Sequence, residues 1–145
     1  MKKLSLIIAI CLSVFFLSSC RVPYEFSQDV TDLDQIQIEI VNLEIEMGYH
    51  EGESYNEEHI TVIKVIENDK KVEFISDFMK IKSYQPNVGS RIESVRGEAI
   101  RIRYPNGDIE LITDYGTATV KNGKISNQTT TFDDKAFSAL LAKYL

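Results

Sequence analysis

From Gln35 onward, apolar and polar positions alternate. Ile36, Ile38 and Ile40 are separated by Gln37 and Glu39, the period-two pattern of a half-buried strand. The apolar positions then change phase to Val41, Leu43, Ile45 and Met47, with Asn42, Glu44 and Glu46 between them. Successive side chains leave opposite faces of a strand, so this slip predicts a bulge, bend or break near Ile40–Val41. Gly48 to Glu58 reads as a polar loop. Ile60 to Ile66 is β-branched and almost wholly apolar, which predicts a central strand rather than an edge.

The period then becomes helical. Asn68-Asp69 offers an N-cap, after which Val72, Phe74, Ile75, Phe78, Met79 and Ile81 fill one half of a helical wheel. Glu73, Ser76, Asp77 and Lys80 fill the other half, and Ser83 to Ser90, with Pro86 and Gly89, ends the helix. A meander follows. Ile92 to Tyr104 alternates around a bend at Gly97, Pro105 to Asp108 turns, and Ile109 to Asp114 returns. Thr117 to Val120 and Lys124 to Thr130 flank Asn122-Gly123, the preferred type I′ hairpin turn. Asp133 or Asp134 caps a last helix with Ala136, Phe137, Leu140, Leu141 and Tyr144 as its stripe. The order β-β-α-β-β-β-β-α predicts an α+β domain over residues 35–145. It comprises an antiparallel sheet of five to six strands with both helices on one face.

The segment before this domain has a different pattern. Met1-Lys2-Lys3 is positive, and Leu4 to Leu17 is apolar apart from Ser5 and Ser13, which suits the h-region of a signal peptide. The run ends in Leu17-Ser18-Ser19-Cys20, which resembles the lipobox of bacterial lipoproteins. That resemblance implies removal of residues 1–19, a diacylglyceryl group on the Cys20 sulfur, and anchoring at the extracytoplasmic face of the cell membrane. A thiolate is the nucleophile such acylation needs, and two or more acyl chains hold durably where one is marginal. In size and Lys/Ile/Asn-rich composition the chain is similar to small lipoproteins of low-GC Gram-positive bacteria. A helix followed by an antiparallel meander is also similar to small extracytoplasmic modules such as the beta-lactamase inhibitor protein. Arg21 to Asp34 then reads as a flexible tether, with Tyr24 and Phe26 as its candidates for docking.

Composition narrows the functional classes. The chain has 145 residues, enough for one core, and a net charge of −6, which falls to −8 once Lys2 and Lys3 are removed. An acidic chain without a basic cluster is a poor nucleic-acid binder. Eleven acids and no Lys or Arg lie between Val22 and Ile63. They form a solvated face, pair with Arg101 and Arg103 on one face of the meander, or cover a basic partner. His50, Glu57 and His59 lie in or beside the polar loop and are candidate metal ligands, although their spacing matches no recognised motif. Arg101, Arg103 and Tyr104 are candidate interaction residues. There is no G-x-S-x-G, P-loop or dinucleotide fingerprint, and Cys20 would be the one cysteine left after cleavage. The expectation is a non-enzymatic binding domain without a cofactor, held to the membrane by lipid and open to a protein or peptide partner. An inhibitor of a secreted enzyme and a metal- or carboxylate-dependent hydrolase are the alternatives.

Overall fold

Alternation along the first strand serves two cores rather than one. A computed structural model describes residues 23–44, 49–85, 92 and 94–145. The signal segment, Cys20, Ile45, Met47 and the turn residues Pro86 and Gly89 lie outside these. The elements run β1 (Gln37–Leu43), β2 (Tyr49–His50), a 3-10 turn (Glu57–His59), β3 (Ile60–Val65), α1 (Asn68–Phe78) and β4 (Ser83–Tyr84). They continue with β5 (Ser94–Val95), β6 (Gly97–Arg103), β7 (Ile109–Ile112), β8 (Thr117–Lys121), β9 (Lys124–Gln128), β10 (Thr131–Phe132) and α2 (Asp134–Tyr144). Six strands form one antiparallel sheet in the order β3-β1-β6-β7-β8-β9. This is the expected α+β architecture.

Ile38 and Ile40 of β1, with Ile100, Ile102 and Ile112, face a layer containing Phe74 and Phe78 of α1 and Phe137, Leu140 and Leu141 of α2. Val41 and Leu43 belong to a second cluster with Tyr49, Val95, Ala99, Leu111, Ala118, Val120 and Ile125. The change of phase in the sequence therefore marks a strand covered on both faces. Against β6 the pairing of β1 is continuous from Gln37 to Leu43. The irregularity expected near Ile40–Val41 occurs only against β3, where Ile40 opposes Lys64 and Val41 opposes Val62. Ile63 is the extra residue, so the bulge belongs to the neighbouring strand.

Three local expectations are corrected. β3 is an edge strand, with Val62, Ile63 and Val65 exposed by 44%, 44% and 40%. A β-branched run reads as buried on both faces, but among the described residues β1 is its one partner in the sheet. In α1 the buried positions are Lys71, Phe74 and Phe78, while Val72 and Met79 stay exposed. Val72 and Met79 are seven residues apart and share one flank of the wheel, outside the stripe that meets the sheet. Lys71 takes an inward position because its ammonium donates to the carbonyls of Leu33 (3.0 Å) and Ile36 (2.5 Å), its stem lying along the core. Asn68 and Asp69 lie inside α1. The cap position is Glu67, which makes no side-chain capping bond. Ile66 N–H still donates to Ile38 O at 2.9 Å, so strand pairing carries the chain up to the helix.

Other signals hold. Asp133 caps α2 and accepts from Ala136 N–H. Asn122 and Gly123 both have positive φ, 52° and 73°, as a type I′ turn needs. Gly97 has φ of 84° at the junction of β5 and β6, the bend expected there.

The N-terminal tether is docked rather than free. Tyr24 is buried, and Phe26, Val30 and Leu33 pack on the helix-side core. The Tyr24 ring meets those of Phe26, Phe78 and Phe132 edge-on, with centroids 5.2–5.5 Å apart.

Candidate interaction surface

Even and odd positions of β6 leave opposite faces, so the candidate interaction residues are divided. Tyr104 follows Ile102 onto the helix side and is buried there. Arg101 and Arg103 project to the other side. Both arginines converge on Glu39 of β1. Arg101 Nε donates to Glu39 Oε2 at 2.5 Å and Arg103 Nε to the same oxygen at 3.3 Å. Gln37 donates to Glu39 Oε1 at 2.9 Å, and Arg101 Nη1 reaches Tyr55 Oη at 3.3 Å. The Glu39 and Arg101 side chains are only 4% and 3% exposed. Arg103 also binds Glu57 at 2.6 Å, and this hydrogen bond holds the Glu57 carboxyl below its usual range. The acidic first strand therefore pairs with the meander's basic side chains. Of the candidate interaction residues, Arg101 and Tyr104 are thus buried, each bonded to a carboxylate inside the fold.

The candidate metal ligands are also distributed among other partners. Glu57 is bound to Arg103, and His59 Nδ1 lies 2.8 Å from Glu44 Oε2. His50 sits on β2 opposite Ser94. Among the described residues, no three His, Cys, Asp or Glu side chains are grouped to hold a metal ion.

A second buried carboxylate, which no pattern in the sequence marks, is that of Glu110. Glu110 on β7 faces the helix layer and accepts from four donors on the tether and β6–β7 turn. Tyr24 Oη donates to Oε1; Tyr104 Oη (2.5 Å), Ser27 N–H (3.1 Å) and Ser27 Oγ (3.1 Å) donate to Oε2. Gln28 adds a bond to Asp108 at 2.6 Å. Burial first, and then the Glu110 charge, push the Tyr24 and Tyr104 phenols well above their usual range. Because the folded values exceed the unfolded one, this stabilisation is complete below about pH 10 and is lost as pH rises beyond it. The expected loss is about 1.4 kcal/mol per pH unit above 10 for each of the two phenols. Urea midpoints at pH 8, 10 and 11 check this. A midpoint at pH 11 equal to that at pH 8 would contradict it.

The two sheet edges differ. The β9 edge is covered by the loop after β2: Gly52 N–H donates to Ile125 O (2.8 Å), Ile125 N–H to Glu53 O (3.0 Å) and Tyr55 N–H to Gly123 O (2.9 Å). Among the described residues the β3 edge has no neighbour beyond β1 in the sheet, and Val62, Ile63 and Val65 on it are exposed. An edge of this kind offers backbone donors and acceptors together with apolar side chains to an added strand. In the sequence it was hidden by its own apolar character, which is that of a buried strand. The chain matches no family model, no curated protein and no solved structure.

Proposed function

We propose that the protein is a lipid-anchored, extracytoplasmic binding domain without catalytic activity, and that it takes an extended segment of a protein partner along β3. The observation that carries this reading is the contrast between the groups that could do chemistry and the edge that could bind. Glu39, Glu57, Arg101, Arg103, Glu110 and Lys71 are all engaged within the fold. Among the described residues the outer edge of β3 is unpaired, and the strand exposes Val62, Ile63 and Val65. The membrane attachment is supported by the positive start, the apolar run and Leu17-Ser18-Ser19-Cys20.

A photo-crosslinking amino acid at Ile63, introduced in the producing cells, tests the binding edge against the same group at Glu58 in the acidic loop and at Lys135 on α2. All three positions lie outside the buried core. The expected result is a discrete adduct from Ile63 alone, abolished by Val65→Lys. Adducts confined to Glu58 and weakened by salt would overturn the β3 reading in favour of an electrostatic inhibitor. Adducts at none of the three would overturn the binding role.

A further inference from the structure

The docked tether restricts where the domain can stand relative to the bilayer. Tyr24 is fixed by its ring contacts and by Glu110, and it lies only four residues after Cys20. A chain advances at most about 3.3–3.6 Å per residue, so the Cys20 Cα lies within about 14 Å of Tyr24. Resting on the proposed acylation of Cys20, we infer that the domain sits directly on the lipid headgroups, with the corner around Pro23, Gln85, Gln128 and Thr130 turned to the membrane. The opposite sheet edge, β3, is then presented outward.

Three observations carry this. First, Pro23, Gln85, Gln128 and Thr130 line one cavity of about 330 Å³ beside Tyr24. Second, Glu25 and the buried Glu110 are its charged lining residues and the others are neutral, so the corner suits a zwitterionic headgroup layer rather than an anionic one. Third, β9, which contains Gln128, and β3 are opposite edges of the six-stranded sheet. Five strand spacings of about 4.8 Å put them about 24 Å apart. With one short attachment near β9, contact through the Pro23 corner turns the open edge towards the aqueous side. A freely flexible tether would impose no such orientation, because its reach would exceed the size of the domain.

The test uses the full acylated protein, purified from membranes and reconstituted in phosphatidylcholine vesicles containing a headgroup-spin-labelled lipid. A fluorophore is attached through Gln128→Cys or through Thr61→Cys, both exposed positions. Mass and flotation with the vesicles are measured first. The expected result is several-fold stronger quenching at position 128 than at position 61. A Gly/Ser insertion of about 20 residues between Val22 and Pro23 leaves Tyr24 docked but frees the domain, and should bring the two sites to equal quenching. Tyr24→Ala should do the same in part. Acylated protein that floats but quenches equally at both sites without the insertion overturns the inference and leaves the anchor standing. A chain that is unmodified at Cys20 and fails to float overturns both.

Discussion

Replacing Arg101 by methionine is expected to cost about 3–5 kcal/mol of unfolding free energy, because it leaves the Glu39 carboxylate buried without its closest cation. Arg101 donates to Glu39 at 2.5 Å, and both side chains are almost wholly withdrawn from solvent. Arg103, at 3.3 Å from the same oxygen and 28% exposed, compensates in part and places the expected cost towards the lower end of that range. The double variant Glu39→Leu, Arg101→Met separates pairing from packing. Removing both charges should recover most of the loss, since exchanging a buried pair for apolar residues is often close to neutral. Urea unfolding of the two variants and the parent checks this. A double variant no more stable than Arg101→Met would show that the arginine acts through its packing instead of its charge.

Phe78→Ala is expected to destabilise by about 3–5 kcal/mol, through lost burial and the cavity left behind. Phe78 is almost fully buried and stands where α1, the tether and β10 meet, with ring centroids of Tyr24, Phe26 and Phe132 5.3–5.7 Å away. Its loss should therefore loosen the tether as well as the core. Hydrogen exchange at Ser27, whose N–H is bonded to Glu110, is expected to accelerate in Phe78→Ala beyond the general rise in exchange. Exchange at Ser27 that rises only as much as at Ile100 in the central strand β6 would separate tether docking from the aromatic cluster.

Elements with a local cause were legible in the sequence. The Asn122-Gly123 turn, the Asp133 cap, the meander and the stripe of α2 each depend on residues close together in the chain, and each is present. Features set by distant partners were not. Whether Ile60–Val65 lies at the centre or the edge depends on which strands flank it, and its β-branched composition is compatible with either. The inward lysine of α1 is explained by two carbonyls more than thirty residues away. The docked tether has no periodicity, since its attachment consists of isolated anchors such as Tyr24, Phe26 and Leu33 in irregular chain. Of the proposed site residues, the convergence of Arg101 and Arg103 on one strand face was readable from alternation. That same alternation sends Tyr104 to the other face, where Glu110 receives it. Glu110 itself sits between apolar neighbours Ile109 and Leu111 and reads as an ordinary solvent-facing position of an edge or half-exposed strand. Only the second layer, supplied by the helices and tether, buries it.

The proposed orientation of the domain, with β3 turned away from the membrane, depends on the proposed lipid at Cys20. The intact mass of the mature protein, extracted from membranes of the producing cells with detergent, tests it most directly. The predicted result is a chain beginning at Cys20 that carries a diacylglyceryl group on its sulfur. An unmodified chain, or one beginning at another residue, would contradict it.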